Sequence, residues 1–408
     1  MSAAQQAKDT SAGNHFTYEK FFSGALCALP VIAIIMPRAL NVLPVLVAVI
    51  ALVLYRVYRG SWPQLHIASF LWVSGLFGLM ALTTFWAVDP VESLERTLKT
   101  APVLFGGALL LSLALKERGD VFSAWFPLAF LMAGAVLLIE LYAGAPFYHL
   151  VHERIPGDVN LFYLNRSASL LMILAPLAAT CTQQAAWNPQ IKYALYALYI
   201  VLIAAALYRT DSQSAQLGII VGAALYFFFP VKMRAAWIGL AACLALGIIA
   251  TPWIAQYMFK IMPAYAENSE FATQGSGLAR LEIWDSIGRK ALERPFMGYG
   301  VEATRVMEFD LKMLYHNRPN AMHPHNFALQ LWIELGIWGA LFAAAFFAWV
   351  LRAAQRLEPA YARASLAVLF TAISVAATGY GLWQGMWIGA FGMFFAFCAM
   401  VSNKNISQ

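Results

Sequence analysis

A histidine-bearing loop at residues 322–326 leads directly into an apolar run that extends from Phe327 to Val350. Histidine changes its charge near neutral pH and is the commonest general base in enzymes. Because Pro324 suits the first position of a helix, we predict that His325 and Asn326 lie in the first turn of a membrane helix. The positive end of a helix disfavours a further positive charge, so we expect the imidazole to be neutral there.

Two glycines in the same apolar run lie on the side of the helix that carries His325. Gly336 and Gly339 return to within about 40° of its direction when each residue turns by about 100°. We predict that they form a stripe of small residues against which a neighbouring helix packs closely. Glu334 points to the opposite face, so it is not expected to orient the imidazole.

Three arginines near the ends of predicted helices are candidates for binding an anionic ligand. Arg280 has no acidic residue three or four positions away, whereas Arg289 has two. Arg209 closes an apolar segment, where the helix dipole alone favours a cation. Arg166 opens another segment, where the dipole does not explain it. Guanidinium groups bind phosphate oxygens in bidentate fashion, although each arginine could instead extend toward lipid headgroups.

The composition indicates the class of protein that must position these residues. Hydrophobic residues make up 61% of the 408 residues and charged residues only 12%, which is too apolar for a soluble domain. Twelve apolar segments have about the length of a membrane-crossing helix. We therefore predict an all-α polytopic membrane protein with about 12 transmembrane helices. The segments cover residues 21–37, 39–55, 67–87, 98–115, 121–143, 163–181, 192–208, 214–230, 234–252, 325–351, 360–378 and 384–401.

Lysine and arginine in the short connections predict the orientation in the membrane. They concentrate after even-numbered segments, as Arg56 and Arg59 do after the second, which places both termini in the cytoplasm. These basic loops also account for the net charge of +6, so we predict no nucleic-acid surface. The predicted units are a tail at 1–20, helices one to nine at 21–252, an outer loop domain at 253–324, helices ten to twelve at 325–401, and a tail at 402–408.

The outer loop domain contains one clear helical pattern, from Leu278 to Arg294. Its periodicity predicts an amphipathic helix on or near the membrane that carries Arg280 and Trp284. The glycines at 298 and 300 do not form a dinucleotide-binding fingerprint, so we expect them to provide backbone freedom. The apolar stripe of the helix comprises Leu278, Leu281, Trp284, Ile287 and Ala291.

A metal site and a transport function remain alternatives. Several predicted outer histidines raise the possibility of a metal site, but no compact set of cysteine, histidine and carboxylate ligands accompanies them. Most are expected to be ordinary polar residues. A transporter or flippase is the second alternative, since twelve helices with arginines could line a path; the scarcity of acids at membrane depth argues against it. The histidines are His149, His152, His316, His323 and His325.

A spaced motif at the start of the tenth segment gives the first family resemblance. His325-Asn326, nine residues, Gly336, two residues and Gly339 resemble H-[NSQ]-x9-G-x-x-[GTY], the signature of the O-antigen ligase and O-antigen polymerase superfamily. The twelve segments and the single large outer loop are also similar to that family. Arg280 with Trp284 is similar to its loop pattern, and Arg209 lies where the family carries another functional arginine.

The resemblance implies an activity. The short connection between the seventh and eighth segments looks more like the ligase than the polymerase, which commonly has two sizeable loops. A ligase would be a GT-C-like glycosyltransferase acting on the periplasmic face of the bacterial inner membrane. Its donor would be O-antigen on undecaprenyl pyrophosphate and its acceptor lipid A-core, with His325 as base and arginines on the pyrophosphate. The activated donor requires no cofactor. A polymerase and a protein O-oligosaccharyltransferase remain alternatives.

Overall fold

The computed structural model describes residues 3–152, 161–210, 212–266, 277–309, 311 and 322–403, and it contains helices but no strands in these ranges. Two short 3-10 helices, at Pro37–Asn41 and Leu161–Leu164, accompany sixteen α-helices. These are α1 (Ala3–Ile35), α2 (Leu43–Arg59), α3 (Ile67–Thr83), α4 (Pro90–Ala114), α5 (Asp120–Tyr142), α6 (Pro146–His152), α7 (Asn165–Gln184), α8 (Pro189–Arg209), α9 (Gln213–Phe228), α10 (Arg234–Ile249), α11 (Thr251–Ala266), α12 (Gly277–Glu293), α13 (Ala303–Val306), α14 (Phe327–Gln355), α15 (Pro359–Thr378) and α16 (Gly385–Ser402).

Every predicted apolar segment coincides with one of these helices, which confirms the all-α polytopic class. Within the described ranges, eight helices are long and apolar enough to cross a membrane alone. α10 and α11 are bent by 75° relative to each other and would make a ninth span as a pair, while α3 and α9 are apolar but shorter. The count of twelve crossings and the side on which each loop lies stay predictions.

The predicted units relate to the helices as follows. α1 begins at Ala3, so the predicted tail at 1–20 is helical from its third residue. The outer loop domain at 253–324 contains most of α11 and all of α12 and α13. Residues 404–408 of the second tail and His316 lie outside the described residues.

Buried apolar side chains form two large clusters. The first joins α1, α5, α7 and α16 and includes Phe122, which contacts Phe126 and Phe397. The second includes buried residues along the whole of α14, together with Tyr299 and Val301 from the outer loop domain. The outer loop domain therefore shares a core with a membrane helix.

α14 is interrupted at Gly336, where φ is 66° and ψ is −158°. The interruption releases backbone groups that a continuous helix would pair internally. The carbonyl of Ile333 accepts a hydrogen bond from the Tyr299 N–H at 2.8 Å, and that of Glu334 accepts one from the Gly300 N–H at 2.9 Å. A loop backbone thus pairs with the middle of a membrane helix.

The other side of the break makes the matching contact. The N–H of Ile337 donates to the Pro295 carbonyl at 2.7 Å, and a Cβ atom added at Gly336 would lie 2.5 Å from the carbonyl oxygen of Phe296. The prediction of a small-residue stripe against a neighbouring helix is wrong. Gly336 admits the backbone of a loop, and Gly339 lies against atoms of its own helix.

The same loop contacts the α3–α4 connection with its opposite edge. The Val88 N–H donates to the Tyr299 carbonyl at 2.9 Å, and a Cβ atom at Gly300 would lie 2.3 Å from that of Ala87. Gly298 and Gly300 have φ values of 62° and 90°, which glycine adopts without steric cost. The expected role of these glycines in backbone freedom is confirmed.

Candidate active site

His325 lies in the loop before α14 and not in its first turn. Its φ of 53° is in the left-handed region, and the helix begins at Phe327. Asn326 is the N-cap, because its side-chain oxygen accepts the N–H groups of Ala328 and Leu329 at 3.0 and 3.1 Å. The prediction that His325 and Asn326 occupy the first turn is wrong, and those two N–H groups are not free to bind a phosphate.

The imidazole of His325 is oriented by a backbone carbonyl. Its Nδ1 atom lies 2.7 Å from the carbonyl oxygen of Gly379. A carbonyl oxygen can only accept a hydrogen bond, so Nδ1 carries the hydrogen and Nε2 holds the lone pair of the neutral ring. The left-handed backbone costs about 1–2 kcal/mol, which the surrounding contacts must offset. This orientation is the one that a general base using Nε2 requires.

A second histidine lies against the first. The ring centroids of His323 and His325 are 4.2 Å apart. The pKa of His323 is lowered to about 3, mainly by burial, with smaller contributions from the neighbouring His325, Arg305, Arg166 and Arg280. His323 is therefore neutral at physiological pH. His323 therefore differs from the ordinary polar residues that most of these histidines were expected to be, and its place two residues before His325 was the only signal in the sequence.

Arg166 and Arg280 both lie near Tyr380, a half-buried residue of the segment between α15 and α16. The guanidinium carbon of Arg166 lies 6.0 Å from the centroid of the Tyr380 ring. Burial raises the pKa of the Tyr380 hydroxyl, and the charges of Arg166 and Arg280 oppose that rise. Burial also lowers the pKa of Arg280, which still leaves a guanidinium protonated at neutral pH. The structure thus brings two of the three predicted arginines to the histidine pair.

These two arginines differ from a third that the sequence did not single out. The charge of Arg305 also lowers the pKa of His323. The Arg305 guanidinium, however, is paired with Glu302, which also binds Arg96 at 2.6 Å. Within the described ranges, no carboxylate forms an ion pair with Arg166 or Arg280. Among the described residues, no carboxylate therefore neutralises these two charges, unlike that of Arg305.

The predicted amphipathic helix is present as α12 and packs on α11 through its apolar side. The Trp284 indole N–H donates to the Pro324 carbonyl at 2.7 Å and so holds the histidine loop. Arg289 forms the expected ion pair with Asp285, at 2.9 Å. α12 therefore presents Arg280 and Trp284 to the site and keeps Arg289 outside it.

Arg209 occupies a different place. It is exposed at the end of α8, and its Nε donates to the Leu141 carbonyl at 3.4 Å. No contact among the described residues joins it to the histidines. The chain that follows does reach the site, because a Cβ atom at Gly379 would lie 3.3 Å from the Ser214 hydroxyl.

The segment 379–384 between α15 and α16, here called the connector, was missed by the sequence reasoning. Gly379 orients His325, as described above. A Cβ atom at Gly381 would lie 3.1 Å from the ring of His323, and the Gln384 amide nitrogen lies 3.5 Å from the Nε2 of His323. Both histidines therefore rest on the connector.

An apolar cavity of about 490 Å³ adjoins the site between α3, α4, α14, α15 and α16. Phe327 and Trp383 line the end next to the histidines. His66, Arg356 and Ser402 line the opposite end, so the cavity follows the length of these helices.

The structure describes four of the five histidines that raised the possibility of a metal site. His323 and His325 are in contact, whereas His149 lies on α6 beside Tyr148. In the described part of the chain, no group of three or more histidine, cysteine, aspartate and glutamate residues could hold a metal ion.

Comparison with known proteins adds a family to this geometry. Residues 198–344 match the family model described as O-Antigen ligase, and this range includes Arg209, Arg280, Trp284 and His325. The match and the relatives below support membership of the O-antigen ligase superfamily. Membership supports a ligase-type glycosyltransferase. Arg166 and the connector lie outside the matched range, so the contacts described above are what assign them to the site.

Curated relatives extend the similarity over most of the chain. A Rickettsia conorii protein is 28% identical over 332 residues, which cover 77% of this chain and 76% of the relative. A Rickettsia prowazekii protein is 26% identical over 313 residues, covering 75% and 74%. A Rickettsia bellii protein is 22% identical over 324 residues, covering 77% and 75%. The name of each contains "Putative polysaccharide ligase".

Proposed function

We propose that this protein transfers O-antigen polysaccharide from undecaprenyl pyrophosphate to a sugar hydroxyl of lipid A-core, on the periplasmic face of the bacterial inner membrane. The observation that carries the proposal is the bond between His325 Nδ1 and the Gly379 carbonyl, beside two arginines with no carboxylate partner in the described ranges. One basic nitrogen and two cations are what transfer from a lipid pyrophosphate requires.

The acceptor hydroxyl attacks the anomeric carbon of the donor sugar, and the bond from that carbon to the pyrophosphate oxygen breaks. His325 Nε2 takes the proton of the attacking hydroxyl. General-base help of this kind is worth about 10² to 10⁴ in rate. The lipid pyrophosphate leaves with the electron pair of the broken bond, so neither a nucleotide nor a metal ion is needed in this scheme.

Arg280 and Arg166 bind the departing pyrophosphate in this scheme. One guanidinium group can donate two parallel hydrogen bonds to phosphate oxygens. Partial burial strengthens the electrostatic attraction between guanidinium and phosphate. Arg209 is proposed to bind the same ligand. Its side chain is exposed, and Ser214, five residues after it, lies beside Gly379. Four further residues support the site. Asn326 and Trp284 hold the loop that contains His325. Gly336 and Gly339 lie at and just after the break in α14 that follows it.

The apolar cavity supports a lipid-linked donor. Hydrocarbon is transferred favourably from water to apolar surroundings, and this cavity begins beside Phe327, two residues after His325. A polyprenyl chain in the cavity would leave its pyrophosphate among the arginines. Membrane lipids surround the remaining apolar faces.

A reconstituted assay with purified lipid donor and lipid A-core tests the proposal. The expected product is lipid A-core that carries the polysaccharide, formed without nucleotide and in the presence of a chelator. A flippase would move the donor between leaflets and join it to nothing. Replacing the acceptor with a second donor molecule or with a protein separates the polymerase and the protein O-oligosaccharyltransferase from the ligase.

A further inference from the structure

Glu334 lies in the buried first half of α14, two residues before the break at Gly336, and its side chain is fully buried. One carboxylate oxygen accepts a hydrogen bond from the Gln330 amide at 3.0 Å. The other accepts one from the Trp383 indole N–H. Each oxygen of a buried carboxylate therefore has a neutral donor.

Gln330 extends the same network to the backbone. Its side-chain oxygen accepts the N–H of Leu382 at 2.7 Å, while its amide nitrogen donates to Glu334. Two successive connector residues, Leu382 and Trp383, are thus held by one pair of side chains on α14.

The held segment is the one that orients the histidines. The connector supplies the Gly379 carbonyl that binds His325 Nδ1, and it supplies Gln384 beside His323. We propose that Glu334 is a positioning residue for His325, acting through Gln330, Trp383 and the connector. This inference rests on the proposed role of His325 as the base.

A carboxylate suits this network better than an amide because it offers two accepting oxygens and no donor. In Glu334→Gln, one N–H donor faces an amide N–H₂ group in place of an oxygen. If Gln330 rotates its amide to relieve that contact, the Leu382 N–H loses its acceptor. One hydrogen bond is therefore lost in either arrangement, and a buried donor is left without a partner.

The exchanged pair Gln330→Glu/Glu334→Gln restores these bonds. The carboxylate at position 330 accepts from the Leu382 N–H and from the new amide at position 334, whose oxygen accepts from Trp383. The three hydrogen bonds are kept, with the direction of one reversed. The exchange thus separates loss of the network from loss of Glu334 itself.

Initial rates of the reconstituted protein test the inference, normalised to the folded fraction from size-exclusion chromatography. We expect Glu334→Gln to lower kcat by about tenfold to a hundredfold, the effect of a slightly misplaced catalytic group. The KM for the lipid donor should change by less than about threefold, because Glu334 does not touch the ligand. The exchanged pair should regain most of the lost kcat.

Glu117→Gln is the matched control. Glu117 is as deeply buried, pairs with Arg59 at 2.7 Å, and lies beside Asn403 at the end of α16 away from the connector. We expect Glu117→Gln to lower the temperature of unfolding and to leave kcat unchanged.

Two results would overturn the inference: wild-type kcat in folded Glu334→Gln, or an exchanged pair as slow as Glu334→Gln. The proposed function is judged separately with His325→Ala. If that variant is inactive while Glu334→Gln is normal, only the positioning role fails. If His325→Ala retains full transfer, the proposed function fails as well.

Discussion

His325 and Gly379 are 54 positions apart in the chain, and their Nδ1 and carbonyl oxygen atoms lie 2.7 Å apart. This bond joins the loop before α14 to the connector after α15. It sets which nitrogen of His325 holds the lone pair that, in the proposed function, accepts the proton of the acceptor hydroxyl. The chemistry of the site therefore depends on two helix ends that are remote in sequence.

Removing the imidazole should abolish most of the transfer. We expect His325→Ala and His325→Asn to lower kcat by about 10² to 10⁴. Asparagine tolerates the left-handed backbone at this position, so a shared loss in both variants reports the ring and not the backbone. His149→Ala, on α6, is the control and should keep wild-type rates. Full activity of His325→Ala in vitro would remove the imidazole from the mechanism.

Arg280 and Arg289 lie on the same helix and provide a matched pair. A hydrogen bond to a charged group contributes about 1.5–3 kcal/mol, so Arg280→Ala should lower kcat/KM for the lipid donor by about tenfold to 150-fold. Arg280→Lys should be intermediate, because it keeps the charge and loses the paired contacts. Arg289 is bound to Asp285, and Arg289→Ala should change kcat/KM little. Equal effects of the two alanine variants would contradict pyrophosphate binding by Arg280.

His323 should make the fold sensitive to acid. Its pKa is about 3 in the folded protein against an ordinary value of 6.5, so the unfolded chain binds more protons between these pH values. The contribution of His323 to stability is complete above pH 6.5 and is lost as the pH falls toward 3. The loss is at most about 1.4 kcal/mol per pH unit.

Unfolding in detergent at pH 7 and pH 5 measures this effect. The wild type should lose stability between the two pH values, and His323→Gln should lose less because its side chain does not titrate. An identical loss in both proteins would show that His323 is not the titrating group.

The break in α14 should not tolerate a side chain. Gly336→Ala places a Cβ atom 2.5 Å from the Phe296 carbonyl oxygen and strains a backbone with φ of 66°. We expect a loss of about 1–3 kcal/mol in unfolding free energy, or a protein that fails to fold. Gly78→Ala is the control, since a Cβ atom there meets nothing within 4 Å in the ordinary helix α3. Similar stability of the two variants would contradict the described break.

Filling the apolar cavity should act on the lipid part of the donor. Ala376 lines the cavity on α15 near the connector, so Ala376→Trp should raise the KM for a donor with a full-length polyprenyl chain. A donor with a chain of one or two isoprene units, assayed with the same variant, should show a much smaller change. An equal rise for both donors would place the hydrocarbon elsewhere.

The parts of the fold that the sequence revealed are those with local signals. Each membrane helix appeared as an apolar run, and α12 appeared through the 3.6-residue spacing of its apolar side. Gly298 and Gly300 were assigned to backbone freedom because their spacing does not form a dinucleotide-binding fingerprint. The start of α14 was misplaced because Pro324 and Asn326 are both signals for a helix start, and the side-chain cap of Asn326 fixes it.

The features that were missed depend on contacts between distant parts of the chain. The break at Gly336 replaces bonds within the helix by bonds to residues 295–300, and no spacing in α14 indicates that exchange. The connector carries no charged residue, and its role depends on His323 and His325, more than 50 positions earlier. Arg166 was a candidate from the sequence, but its place beside Tyr380 depends on a contact between distant parts of the chain.

The pairing of residues 295–300 with α14 also bears on how the protein is made. In its broken shape, α14 would leave the carbonyls of Ile333 and Glu334 without these partners until that segment docks, and an unpaired backbone group in hydrocarbon costs several kcal/mol. α14 can therefore adopt its final shape only after a stretch synthesised before it has settled in place. Biogenesis of this helix is an assembly step as well as an insertion step, and a chain stalled between the two would expose polar backbone to lipid.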